Sequence, residues 1–123
     1  VAKVLVAEDS EINQKLIAHL LRRLGVEYFI VDNGEKAVHE ALRDRYAIVF
    51  MDVVMPVKNG LDASREILAA LPAAVRPAIV ALTANVEEAD QEACINAGMQ
   101  DFLKKPMQLD DVKRIIDKFL PVA

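Results

Sequence analysis

Five side chains in this sequence are of the right type to do chemistry together: Glu8, Asp9, Asp52, Thr83 and Lys105. Each follows a short apolar run. Asp52 closes Ala47-Ile-Val-Phe-Met51, and Pro56 ends any regular continuation. An acid directly after a buried strand is costly unless something pairs with it. Three neighbouring acids repel one another and raise each other's pKa until a cation joins them. A hard divalent ion with oxygen ligands answers that need, and magnesium suits a few carboxylates plus waters. Asp9 and Asp52 are the expected direct ligands, with Glu8 acting through water. Lys105 precedes Pro106, which favours an extended backbone. Lys104 and Lys105 then point to opposite sides, and Lys105, nearer the end of its strand, is the one expected among the acids. An ionised carboxylate with a cation and an ammonium group beside it can take up a phosphoryl group, a transfer that needs alignment and charge neutralisation above all.

Singly, each residue has a plainer explanation. Glu8 and Asp9 could simply favour the start of a helix. Thr83 could bond backbone in a turn. Two adjacent lysines are by default solvated. The weight lies in their joint placement, which depends on the elements between them.

Lys3 to Ala7 reads as a first buried strand. Residues from about Ser10 to Leu24 follow as a helix, with Ile12, Leu16, Leu20 and Leu24 inward, Ser10 or Asp9 as cap, and Gly25 as the stop. Glu27 to Val31 is a more polar strand, expected at an edge, and Asp32-Asn33-Gly34 is a turn. Glu35 to Arg45 is a helix with Ala37, Val38, Ala41 and Leu42 inward. The strand ending at Asp52 comes next. After the Asn59-Gly60 turn, a helix over residues 61–71 buries Leu61, Ser64, Ile67, Leu68 and Leu71. Pro72 and Pro77 bracket a connector. Ala78 to Leu82 is a fourth strand ending at Thr83. The helix over 86–97 has a small inward face of Ala89, Ala93, Cys94 and Ala97. Asp101 to Leu103 is a fifth strand, and the helix over 109–120 buries Leu109, Val112, Ile116, Phe119 and Leu120. Five strands alternating with five helices imply an α/β fold of three layers, a parallel sheet with helices on both faces. In such sheets the site lies beyond the carboxyl ends of the strands. All five chemical residues fall there.

The chain has 123 residues, 54% of them hydrophobic, so it can bury a core as one domain. Its net charge of -4 argues against a nucleic-acid surface. No apolar run approaches a membrane span, so no membrane contact is expected of this domain. One cysteine, Cys94, makes no internal disulfide and fits a reducing compartment. His19 and His39 read as surface residues. The chain begins with Val1 and is expected to be a single domain, residues 1–123, excised from a longer protein.

The stretches Val6-Ala-Glu-Asp9, Met51-Asp-Val-Val-Met-Pro56 with Asn59-Gly60, Ala81-Leu-Thr-Ala84 and Phe102-Leu-Lys-Lys-Pro106 resemble the receiver domain of two-component response regulators. The resemblance covers essentially the whole chain. It implies a flavodoxin-like fold with strand order 2-1-3-4-5. It also implies that Asp52 is the phosphoacceptor and that Glu8 and Asp9 are the acidic pair. The backbone carbonyl of Val54 would complete the Mg2+ ligands, and Thr83 and Lys105 would contact the phosphoryl oxygens. Thr83 and Phe102 would be the switch pair, and Lys105–Pro106 a candidate cis bond. The donor would be a histidine kinase or histidine phosphotransfer domain, and the domain would promote its own phosphorylation without turning over as a conventional enzyme. Glu8 stands where Asp is commoner in the family, which lengthens the reach to metal-bound water. Val54 cannot orient an attacking water, so phosphoryl lifetime is left open.

Glu8-Asp9-Ser-Glu-Ile-Asn13 and Leu82-Thr-Ala-Asn85 are similar to the versions common in hybrid sensor kinases. That points to a cytoplasmic relay domain, free or part of a membrane-anchored sensor. The start of the first helix, near Glu11, Asn13 and Gln14, with the loops after Asp52 and Lys105, would then meet the donor. The alternative is a stand-alone regulator that docks a protein effector through the fourth helix. Two unrelated readings fit less well. A flavin protein needs a phosphate-cradling loop where this chain has Glu8-Asp9-Ser10-Glu11. An Asp-nucleophile phosphatase usually draws two acids from one strand end, whereas here they come from two.

Overall fold

The structure is a computed structural model that describes residues 3–84 and 88–120, without the side chains of 88–90. Its elements are β1 (Lys3–Ala7), α1 (Glu11–Arg23), β2 (Glu27–Val31), α2 (Gly34–Arg43), β3 (Ile48–Asp52), α3 (Gly60–Ala70), β4 (Ala78–Thr83), α4 (Glu88–Asn96), β5 (Asp101–Lys104) and α5 (Leu109–Phe119). The strands form one parallel sheet in the order β2-β1-β3-β4-β5. Their apolar runs are continuous because helices cover both faces. β3, at the centre, is buried at all five positions.

Two cores result. On one face Leu5, Val49, Met51 and Ile79 pack against Ala37 and Ala41 of α2, Ala63 and Ile67 of α3, and Cys94 of α4. On the other, Val4, Phe50, Val80 and Leu103 pack against Ile17 and Leu21 of α1 and Val112 and Ile115 of α5. Side-chain caps start three helices: Ser10 accepts the Asn13 N–H, Asn33 the Lys36 N–H, and Asn59 the Asp62 N–H. Gly25 stops α1 at φ 71°, a left-handed position that suits glycine. Asn33 and Gly34 do more than turn, because Gly34 is already the first residue of α2. A short 3-10 helix, Ala73–Val75, lies between the two prolines, where only a connector is expected from sequence.

The sheet faces follow the expected pattern, but two helix faces need correction. Ile12, expected inward, is 80% exposed. Residues four apart advance about 40° beyond a full turn, so Ile12 lies about 80° from Leu20 around α1. The buried stripe is Ile17, Ala18, Leu20 and Leu21. Leu42, also expected inward, is exposed, because it sits about 100° round α2 from buried Ala41. In α5 the deepest residues are Val112 and Ile115, with Leu109, Ile116, Phe119 and Leu120 partly buried. The expected start of α4 at Val86 and the inward place of Ala89 fall outside the described residues and side chains.

Glu40 is the charge that periodicity does not reveal. It is 7% exposed, and its carboxylate accepts two bonds from Arg43 Nη2 at 2.8 and 3.1 Å and one from the Tyr46 hydroxyl. Lys3 pairs with Asp44 and lies 5.1 Å from the centre of the Tyr46 ring. This network ties the end of α2 to the entry of β3. The Tyr46 hydroxyl, helped by Arg43 against the cost of burial, holds the Glu40 carboxyl below its ordinary 4.5. A lowered carboxyl stabilises the fold above the unfolded-state pKa and loses that effect as pH falls through the folded one. Glu40→Gln should therefore lower unfolding stability by about 1–2 kcal/mol near neutrality, and the deficit should close as pH falls from neutral through the lowered folded-state pKa. Urea titrations across that range check it. A constant gap would refute the assignment.

Candidate functional site

Strand order positions the site. β1 and β3 are neighbours, and the chain departs from them toward opposite edges, so their carboxyl ends open onto the switch point. Glu8 and Asp9 follow β1 and Asp52 ends β3. Carboxylate oxygens of all three can lie within 4.8 Å of one another. Glu8 is fully buried, Asp52 is 4% exposed and Asp9 is exposed.

Lys105 reaches in from beyond β5. Its backbone N–H donates to the Thr83 carbonyl at 2.8 Å, extending the β4–β5 ladder by one residue. Its ammonium donates to Asp52 Oδ2 at 2.7 Å and lies 2.9 Å from Glu8 Oε1. The latter is an ion-pair contact without hydrogen-bond geometry, since Glu8 Oε1 is buried with no hydrogen-bond partner. Lys104 is exposed, as the alternation requires. The Lys105–Pro106 bond is cis, as the resemblance implies.

The other oxygens are held by backbone. Asp52 Oδ1 accepts the Val54 N–H at 3.2 Å, and Glu8 Oε2 accepts the Ser10 N–H at 3.0 Å. The loop after Asp52 is folded back tightly. Gly60 N–H donates to the Val53 carbonyl at 2.9 Å, and a Cβ on Gly60 would stand 2.1 Å from the Asp52 carbonyl oxygen. Within this loop Lys58 N–H donates to the Pro56 carbonyl across Val57, whose φ is 69°. A β-branched residue in such a tight turn stores strain, of order 1–3 kcal/mol.

The charges do not balance. Burial pushes Asp52 up to about 7; Lys105 pulls it down and the Glu8 carboxylate pushes it up again. Burial also raises Glu8, but the Ser10 N–H, Lys105 and Asp52 outweigh it and leave Glu8 lowered. One ammonium thus faces two buried carboxylates, and burial together with the Glu8 charge leaves Asp52 the harder of the two to ionise. A buried acceptor oxygen without a hydrogen-bond partner, uncompensated negative charge and an all-oxygen donor set fit magnesium.

Thr83 ends β4, half-buried, in register with Lys104. Phe102 pairs with Ala81 in the same ladder and is half-buried against the α2–α3–α4 core. Val54 is 79% exposed. The structure therefore gathers Glu8, Asp9, Asp52 and Lys105 into one cluster and sets Thr83, Val54 and Phe102 on the elements bordering it. Sequence reasoning missed the Ser10 N–H and the Gln14 side chain, which donates to the Glu8 carbonyl at 2.6 Å. The only signal for Gln14 was its place in the first turn of α1, where a partner contact was expected.

The model of the response regulator receiver domain matches residues 4–117. Hybrid signal transduction histidine kinase L of Dictyostelium discoideum is 38% identical over 125 residues, covering 95% of this chain and 7% of that protein. This chain thus spans a small fraction of that relative. The receiver domain of sensor histidine kinase PA1611 from Pseudomonas aeruginosa, with a magnesium ion coordinated in its active site cleft, is 39% identical. It superposes with a TM-score of 0.87 over 96% of each chain. A chain from the Saccharomyces cerevisiae complex of the histidine phosphotransfer protein Ypd1 with the receiver domain of Ssk1 is 28% identical. Its TM-score is 0.88, over 96% of this chain and 88% of that one. A family match along nearly the whole length, on a sheet that superposes from end to end, makes this chain a member of the response regulator receiver domains.

Proposed function

We propose that this receiver takes a phosphoryl group from a phosphohistidine onto Asp52, with Mg2+, and passes the change to Thr83 and Phe102. The observation that carries the reading is the Lys105 ammonium between Asp52 Oδ2 and Glu8 Oε1. Asp9, Asp52 and the Val54 backbone carbonyl would hold the metal, and Glu8 would hold one of its waters. Bound magnesium would supply the positive charge that Lys105 alone cannot, neutralising the acids and the transferred oxygens. A carboxylate oxygen of Asp52 forms the new P–O bond as the P–N bond of the donor breaks, and the imidazole keeps the bonding electron pair. Lys105 then pairs with a phosphoryl oxygen and Thr83 donates its hydroxyl to another. Intact mass after incubation with acetyl phosphate should show one added phosphoryl group only when magnesium is present, and none on Asp52→Asn. Equal labelling of that variant, or labelling in excess chelator, would reject the site.

Thr83 moving toward the phosphoryl group would free space beside Phe102 in the neighbouring register. Among the described side chains, α4 is held by buried Cys94, with Ala97 just past its end, and both are small. Little apolar area means a low cost to shift it. With beryllofluoride and magnesium, amide NMR of the wild type should show changes through β5 and α4. Thr83→Ala should still bind the mimic at Asp52 but lose at least half of the distant shifts. Undiminished distant shifts would remove Thr83 from the relay.

The donor is read as the helical histidine domain of a kinase or phosphotransfer protein, in keeping with the hybrid-kinase relative and the complex described above. Ile12, Val54 and Val57 are 80%, 79% and 74% exposed and belong to the first turn of α1 and the loop after Asp52. They give the mouth of the acid site an apolar rim on which such helices can pack while the phosphohistidine aligns with Asp52. A full chain carrying this domain in a membrane-anchored sensor would keep it on the cytoplasmic side. Among the described residues no helix is long and apolar enough to cross a membrane. Ile12→Glu should slow transfer from a cognate phosphotransfer domain roughly tenfold or more, the loss of one buried Ile, while acetyl phosphate labelling stays unchanged. Unaltered transfer, with a binding footprint confined to α4 and α5, would favour the effector-docking regulator instead.

A further inference from the structure

The magnesium reading leaves one matter open: what aims Asp9. Its carboxylate is exposed, so side-chain packing does not fix it. Its direction is set by the two peptide groups that flank it. The peptide after Asp9 is fixed where the Ser10 N–H donates to Glu8 Oε2 at 3.0 Å. The peptide before it is fixed where the Glu8 carbonyl accepts the Gln14 amide at 2.6 Å. Gln14 is itself anchored, because its backbone N–H makes the first bond of α1, to the Ser10 carbonyl at 2.8 Å. Glu8 N–H completes the frame by donating to the Val31 carbonyl of β2 at 3.0 Å.

Resting on the proposed function, we infer that Gln14 is a positioning residue for the metal site, with its side-chain amide holding the Glu8–Asp9 peptide so that Asp9 faces Asp52. Three of the four polar groups of Glu8 (its N–H, its carbonyl and Oε2) are committed to this frame, and Oε1 alone is left without a hydrogen bond, toward Lys105. Loss of the Gln14 donor frees the carbonyl to rotate toward water, and the peptide plane turns with it. Asp9 then samples directions that no longer converge with Asp52. A ligand that must be reordered on binding holds its metal more weakly.

The test compares the wild-type domain with Gln14→Met, which keeps length but has no donor, and with Gln14→Lys, which keeps an N–H donor. Magnesium affinity is measured by titration in high salt, which screens the added lysine charge. Gln14→Met should bind magnesium roughly tenfold more weakly. Gln14→Lys should return to within about twofold of wild type. Metal-free amide spectra should show the Met variant displaced at Asp9 and Ser10 and unchanged in β4 and β5. Wild-type affinity in Gln14→Met overturns the inference and leaves the functional reading standing. So does an equal loss in both variants, which would mean that the donor is not what matters. A wild type that binds no magnesium overturns the functional reading and this inference together.

Discussion

One ammonium group faces two buried carboxylates, and much of the structure is arranged around that inequality. Lys105 is within ion-pair distance of both Asp52 and Glu8, yet it can balance only one. Burying charge without a partner is among the costliest things a fold can do. The chain meets this cost in part with backbone: the Ser10 N–H on one carboxylate and the Val54 N–H on the other. Neither donor carries a full charge. The remaining deficit shows in Asp52, which burial, against Lys105, leaves at about 7. A bound dication would supply the missing positive charge, and it would also offset the negative charge that a transferred phosphoryl group brings. A site short of positive charge is therefore a site prepared for magnesium, and a ready receiver for a phosphoryl group once magnesium is present.

The parallel sheet is what makes such a cluster possible. No two of β1, β3 and β5 follow one another in sequence, yet their ends meet because every strand runs the same way. Small adjustments at those ends then aim the side chains. Lys105 gains one more ladder bond through Thr83 and so turns toward the acids, while Lys104 turns away. At Gly60 the start of α3 lies against the Asp52 carbonyl, closer than any Cβ would allow. Each of these is a backbone event, and each fixes a functional side chain on a rigid element.

That distinction explains how much the sequence revealed. The strands, their order of appearance and the acids at their ends were legible, because continuous apolar runs and chain-breaking residues are local signals. Choosing Lys105 over Lys104 needed only alternation and a proline. The misplacement of Ile12 came from extending an i, i+4 row over three turns, where it drifts off the buried face. Glu40 was invisible for a different reason. Its partners, Arg43 and Tyr46, look like ordinary surface residues until the end of α2 is brought over the entry to β3. The role of Gln14 was hidden likewise, since a glutamine in an exposed first turn carries no sign that its amide reaches back to a carbonyl.

The loop after Asp52 joins these themes. It contains the strained turn at Val57, and it is pinned at both ends. At one end, a Cβ on Gly34 would stand 2.1 Å from the Lys58 carbonyl oxygen, so the start of α2 lies directly against the loop. At the other, Gly60 abuts Asp52. Lys58 adds an ion pair to Glu66 of α3. A relaxed loop of the same length would not need such close packing to hold its shape. Strain of this kind persists only where the surroundings over-determine it. Here they do: Val54 and Val57 stand exposed on a loop that α2 and α3 pack closely at Gly34 and Gly60. An apolar surface offered by a stiff loop loses little entropy when a partner covers it. Were the donor to pack here as proposed, the strain absorbed at Val57 would serve that contact, while the same loop abuts Asp52 through Gly60.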